Sequence, residues 1–436
     1  MEIVHKDGKF WTPEGVEVTR LTPEMLGEDG FDLKNLSDEQ TKYVTGKRMT
    51  KEMKAIEDKH VADMEKLKNS YEVQLAGSLS AQRREELESE LKDVSVRLED
   101  LQTVEEKATG ELSAGAGFGT NGGTIGFGIK ENNFMGKGIQ FDTNLELSEE
   151  QIRGQFSVYN PNFKGSDNAL STNIQSLTND YMADYGYKTT KTGVSFGTRF
   201  EYYENLFLSP SISSFYESLK TTSTASSALK KQRGTYFDTD IDYILDFDKR
   251  DQKFQTSDGY RSRFTQSIPL ISKSNALLNG YEFNLYEEIA DDMVGEFTFY
   301  VRAINSLTDD DVRISERLFL PSSKLRGFER GKIGPKDGQE FIGGNYASSV
   351  NLSTSLPTIF NDLETLDFNI FIDAGNVWGV DYESTLDESN KIRSSTGIAV
   401  DWYTIVGPLS FSYSIPISKA DTDIEENFRF QIGTTF

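Results

Sequence analysis

The chain's 436 residues suffice for one large barrel and an appendage, and their net charge of −24 argues against nucleic-acid binding, since phosphate contacts need clustered Lys and Arg. Cysteine is absent and the histidines are His5 and His60, which excludes a disulfide framework, thiolate chemistry and, past the first sixty residues, imidazole-based zinc sites and histidine triads. No enzymatic activity, no metal, no cofactor and no nucleic-acid partner are expected from such a composition.

Residues 1–36 are polar, carry turn formers such as Pro13–Gly15 and Gly27–Gly30, and read as an irregular segment. The opening MEIVHKDGKFW has no apolar h-region, so it does not read as a secretory signal. From 37 to 102 the sequence is rich in Glu, Lys, Leu and Met and lacks Pro, which predicts helix. Met49, Met53, Ile56 and His60 follow 4-3-4 spacing, and Leu87, Leu91, Val94, Leu98 and Leu101 follow 4-3-4-3, an a/d seam interrupted near Ala76–Ala81. A helical hairpin or short coiled coil is expected, serving either as a solvated spacer or as a partner-binding arm.

Near Thr103 the hydrophobic period changes to 2 and stays there to the end of the sequence. Leu366, Phe368, Ile370 and Ile372 alternate with Asp367, Asn369 and Asp373. Leu409, Phe411, Tyr413, Ile415 and Ile417 alternate with Ser410, Ser412, Ser414 and Ser418, and Phe428, Phe430, Ile432, Thr434 and Phe436 share a face of the last strand. A soluble sandwich alternates too, but here the strands run near 10 residues, short and long connections alternate, and the sequence ends inside a strand. Residues 103–436 therefore predict an all-β transmembrane barrel of about sixteen antiparallel strands. With the first strand starting in the periplasm near Gly110, segments 119–123, 178–190, 218–234, 307–342, 379–392 and 419–426 fall outside. The turns 131–136, 160–168, 288–292, 357–364 and 403–408 fall on the periplasmic side.

The longest outer loop contains Leu325-Arg326-Gly327-Phe328. A lone RGF is common by chance, but other segments accompany it in a fixed order: VEEKATGELSAGAG (104–117), FGIKENNFMGKG (127–138), SVYNPNF (157–163), Gly343-Gly344-Asn345, FIDAGNVWG (371–379), VGPLSFSYSIPI (406–417) and FRFQIGTTF (428–436). Jointly these resemble the bacterial surface-antigen family, in its outer-membrane protein assembly branch, over about three quarters of the chain. The resemblance implies that the long loop folds into the lumen and that its arginine pairs with an acid on the facing strand, making Arg326 and Asp373 the candidate pair. The blander alternative is an ordinary loop arginine and an aspartate lining a wet lumen. Where relatives carry a further acid on the strand after the loop, this sequence has Asn351 and Ser353, so polar contacts are expected in its place.

In the first strand, GELSAGAGFG (110–119), Gly110 opens the strand and Gly115, Gly117 and Gly119 share one face. Gly433 and Phe436 lie on the strand that must close against it. Glycines weaken strands, so this seam is expected to be the weakest junction, the lateral gate the resemblance implies; alternatively the glycines only relieve crowding where the barrel curves. The implied function is folding and insertion of barrel clients through the seam. A two-partner secretion transporter and a passive porin are the alternatives. The implied partners are unfolded outer-membrane β-barrel clients, accessory assembly lipoproteins, and the lipid and lipopolysaccharide of a Gram-negative outer membrane. The lipoproteins dock on βααββ (POTRA) modules in relatives, and residues 1–102 show no such pattern, which reads as a fusion or replacement that leaves those partners without a recognisable platform. Asp309-Asp310-Asp311 and Glu287-Glu288 read as solvated loop and turn acids, with no EF-hand spacing.

Overall fold

The computed structural model describes residues 51–75, 81–102 and 109–433, apart from 121, 254, 291–292, 358–364, 382–385, 388–389 and 405–406, together with three short strands near the start. Those strands, Val4–Lys6, Lys9–Trp11 and Glu17–Val18, form an antiparallel sheet where an irregular segment was expected, and the rest of 1–36 lies outside the described residues. Two helices follow, α1 (Lys51–Leu75) and α2 (Ala81–Gln102), and they pack against each other. Leu87 and Val94, two positions of the expected seam, are buried. Met49 and residues 37–48 lie outside the described residues.

Sixteen strands close into one antiparallel barrel, each hydrogen-bonded to its sequence neighbours and the last to the first. The first four are β1 (Gly110–Gly119), β2 (Gly122–Phe134), β3 (Ile139–Ser148) and β4 (Gln151–Asn160). Next come β5 (Ala169–Tyr181), β6 (Tyr187–Tyr203), β7 (Leu206–Thr221) and β8 (Gly234–Asp248). They are followed by β9 (Gly259–Ile271), β10 (Ala276–Ala290), β11 (Met293–Ser306) and β12 (Tyr346–Ser355). The ring ends with β13 (Leu366–Trp378), β14 (Arg393–Thr404), β15 (Gly407–Ser418) and β16 (Phe428–Gly433).

Alternation explains the closure. Ile125, Phe127, Ile129, Phe196, Ile212, Ile370, Ile372, Ile398, Tyr413, Ile415 and Ile432 are exposed on the outer face. Asn351, Phe371, Asp373 and Ser395, at the opposite parity, are buried inside. In hydrocarbon no water can satisfy an open sheet edge, so a closed ring is the only arrangement of strands that spans.

The expected strand length of about 10 residues holds for β1, β3, β4 and β12, but β6 has 17. At ~3.3 Å per residue β6 spans about 56 Å, well beyond the ~42 Å that a tilted crossing of the hydrocarbon requires. The surplus projects past the membrane, where it packs on loops. Tyr187, Leu219 and Tyr236 from strand ends join Tyr185, Ala225, Leu229, Ile314, Phe341 and Ile342 in one buried apolar cluster. A charge on the lipid-facing side of β13 tests the membrane assignment. Ile372→Arg is expected to lose about 2–4 kcal/mol in denaturant unfolding from lipid vesicles, against little change for the loop variant Asp310→Arg.

Candidate functional site

The connection between β11 and β12, residues 307–345, turns inward and builds its own core. Its residues Val312, Leu318, Leu320, Leu325, Phe328 and Ile333 cluster with Ile304, Ala347 and Val377 of the barrel wall. Burying Leu325 or Phe328 contributes roughly 1.5–3 kcal/mol each toward the chain entropy lost when the loop is ordered.

The structure brings Arg326 and Asp373 together. The guanidinium donates from Nε to Oδ2 at 2.7 Å and from Nη2 to Oδ1 at 2.7 Å, a bidentate fork. The Arg326 backbone N–H adds a third bond to Oδ2 at 3.1 Å, and Asn351 Nδ2 donates to Oδ1 at 2.8 Å. Asp373 is 0% exposed, so these four bonds replace all of its hydration. Asn351 stands directly opposite Asp373 in the β12–β13 register and also donates to the Lys324 carbonyl, tying strand and loop. Sequence reasoning missed Phe371, whose ring lies 3.3 Å from the guanidinium carbon, and Ser395, whose hydroxyl donates to the Arg326 carbonyl. Phe371 was findable as the one aromatic at lumen parity among Asp367, Asn369 and Asp373. Gly327 has φ +89°, and a Cβ there would lie 3.1 Å from Ser395 Cβ, so both backbone and space call for glycine.

Four more loop cations bond acids elsewhere on the barrel, none singled out from sequence. Arg313 donates to Asp238 of β8 at 2.6 Å and lies 3.5 Å from Glu217 of β7. Arg317 donates to Asp381, Lys324 to Glu282 of β10, and Lys332 to Asp184. Burial alone would weaken the charge of Arg313, but bonds to Glu316 and Asp238 and the field of Glu217 outweigh it and raise its pKa. Two backbone pairings complete the attachment. Lys336–Asp337 pairs with Leu386–Asp387, and Gly327–Phe328 pairs with Glu425–Glu426 in the connection leading to β16.

At the seam the described register is Gln431↔Gly119, Ile432↔Phe118 and Gly433↔Gly117. Thr120 N donates to the Phe430 carbonyl at 3.0 Å, and the Phe118 and Phe430 rings lie 5.9 Å apart. Gly433 has φ +100°, which ends regular strand geometry there, and a Cβ would meet the Ala116 carbonyl oxygen at 2.4 Å. A Cβ on Gly119 would meet the Phe430 oxygen at 2.7 Å. Gly110 and Gly115 have no partner on β16 among the described residues, and Phe436 lies outside those residues.

The profile of the Omp85 superfamily domain matches residues 133–436. The chain is 32% identical over 139 residues to the outer membrane protein assembly factor BamA of Neisseria meningitidis, covering 26% of this chain and 17% of that protein. Over 347 residues it is 24% identical to BamA of Neorickettsia risticii, covering 76% and 46%. It thus spans less than half the length of these relatives. A crystal structure of BamA from Haemophilus ducreyi lacking POTRA domains 1–3 superposes with a TM-score of 0.70 at 24% identity, covering 76% and 71% of the two chains. Sixteen-strand closure, the family match and these similarities lead to one conclusion: the chain belongs to the Omp85 superfamily and is an integral outer-membrane barrel similar to BamA.

Proposed function

We propose that this barrel folds and inserts β-barrel clients into a Gram-negative outer membrane through the junction of β16 and β1. The observation that supports this reading is the glycine contact at the seam, where Gly433, at φ +100°, faces Gly117, and Gly119 faces Gln431. Each pair lost there exposes backbone groups that hydrocarbon cannot solvate, so an open seam favours capture of an incoming strand. An unfolded client supplies that strand by β-augmentation and adds hairpins at the edge. The similarity to proteins named as outer membrane protein assembly factors supports the same role.

In this mechanism the Arg326–Asp373 fork is a fixed strut. It holds the loop core against β13 while the seam strands part, and the loop cations spread that attachment over β7, β8, β10 and β13. A passive diffusion pore is less well supported, since an inward loop with its own apolar core obstructs free passage. Unfolded barrel clients and the surrounding lipid and lipopolysaccharide are the partners this reading requires. Accessory lipoproteins would need a platform outside the barrel.

Two measurements test the proposal. Because the chain has no cysteine, Phe118→Cys with Ile432→Cys places a single disulfide across the seam. The locked barrel is expected to lose client insertion into lipid vesicles and regain it on reduction; unchanged insertion under lock refutes the gate. Asp373→Ala and Arg326→Ala are each expected to cost about 3–5 kcal/mol of barrel stability by leaving a lone buried charge, with impaired insertion. The double variant should cost less than the sum, measured as a double-mutant cycle in denaturant.

A further inference from the structure

The largest fully buried side chain among the described residues is a charged one, Arg393, at the outer start of β14. Its partner is Asp423, in the connection between β15 and β16, and both side chains are 0% exposed. The fork is bidentate: Nε donates to Oδ2 at 2.9 Å and Nη2 to Oδ1 at 2.8 Å. Nη1 donates to Asn376 Oδ1 of β13 at 2.6 Å and to the Lys391 carbonyl at 2.8 Å, and the Ala420 N–H donates to Asp423 Oδ2 at 2.6 Å. A desolvated ion pair contributes little net stability compared with an apolar pair of equal volume, so general stability is a weak reason for placing one here. Its geometry offers a better one.

Asp423 stands five residues before β16, the strand that closes the seam. The chain between them is anchored at every turn. Glu329 N donates to the Ile424 carbonyl and Ile424 N to the Lys332 carbonyl, at 2.9 and 3.1 Å. Glu425 and Glu426 pair with Phe328 and Gly327, next to Arg326, and Ser414 N donates to the Asn427 carbonyl at 2.7 Å. The outer end of β16 is thus attached to β14, β15 and the motif loop. Toward β1 the described register begins at Gln431↔Gly119, inward of that attached end.

We propose that Arg393 and Asp423 are positioning residues for the seam. Their buried fork fixes the connection that leads into β16, so β16 remains the stationary wall and the seam opens by departure of β1. The pair sets how often the seam is open rather than whether the barrel folds. This rests on the gate proposed above, but seam opening is measured without any client, which keeps the two separable.

Nitroxide labels at Phe118→Cys and Ile432→Cys report the seam by dipolar coupling in the full chain, refolded in phospholipid vesicles. A second pair at Tyr216→Cys and Phe237→Cys, directly paired across β7 and β8 and outward-facing, is the reference. Asp423→Asn and Arg393→Gln are each expected to raise the separated seam population about tenfold, with the double variant no worse than either single and the reference pair unchanged. Should a single variant fail to fold, the double variant, which leaves no lone buried charge, carries the same comparison with the parent. Arg393→Lys, which keeps the charge, is expected to fall between parent and Arg393→Gln. Unchanged seam coupling overturns the proposal, and so does an equal loss of coupling at the reference pair, which would make the fork a general structural element. A shifted seam population in a barrel whose locked form still inserts clients refutes the gate and leaves the positioning role standing.

Discussion

A backbone N–H or carbonyl in hydrocarbon has no partner except another strand, and this requirement governs the molecule from β1 to β16. It compels closure, since any open edge within the membrane would cost several kcal/mol per unpaired group. It also gives the closure point its character. Fifteen junctions follow sequence neighbours through a turn or loop, while β16 and β1 meet from opposite ends of the barrel sequence with no covalent link near the contact. There the two strands that meet both carry glycine, Gly117 and Gly119 on β1 and Gly433, at φ +100°, on β16.

Electrostatics fixes the inward loop to the barrel. The chain is strongly acidic, yet the inward loop presents cations, and Arg313, Arg317, Lys324, Arg326 and Lys332 each bond an acid on another part of the barrel. Surface pairs of this kind contribute little, because water screens them and long side chains lose entropy. The pairs here are largely withdrawn from water and share carboxylates with backbone N–H and amide donors, as at Asp373. Their chief physical effect is to fix the loop's position relative to several strands at once, and Arg393–Asp423 extends that fixation to the connection entering β16.

Much of the fold was legible because a membrane strand has few ways to arrange its residues. Alternation of Ile370 and Ile372 with Asn369 and Asp373 assigned faces that the structure repeats, and Gly110–Gly119 has the same bounds in sequence and structure. The strands Val4–Lys6, Lys9–Trp11 and Glu17–Val18 escaped the sequence reading because two or three residues leave too short a pattern for period 2 to register. Strand length was underestimated for β6 because outside the hydrocarbon no thickness limits a hairpin; it extends as far as its neighbours keep pairing. Within the site, the motif and its family resemblance drew Arg326 and Asp373 together; Phe371 stood out only as an aromatic at lumen parity, and Ser395 carried no signal that singled it out.

The sequence by itself determined the local quantities: which side chains face lipid, where strands alternate, and where glycine permits a left-handed turn or close approach at Gly327 and Gly433. Each of these depends on a residue and its near neighbours along the chain, through a two-residue period or a missing Cβ. Apart from Arg326 and Asp373, which the motif's resemblance paired, tertiary structure alone decided which cation meets which acid, because the partners are separated by tens of residues and meet only once the ring closes and the loop folds inward. Arg313 on Asp238 and Arg393 on Asp423 are chosen by barrel curvature and by the register of strands far apart in sequence, and no periodic pattern encodes that distance.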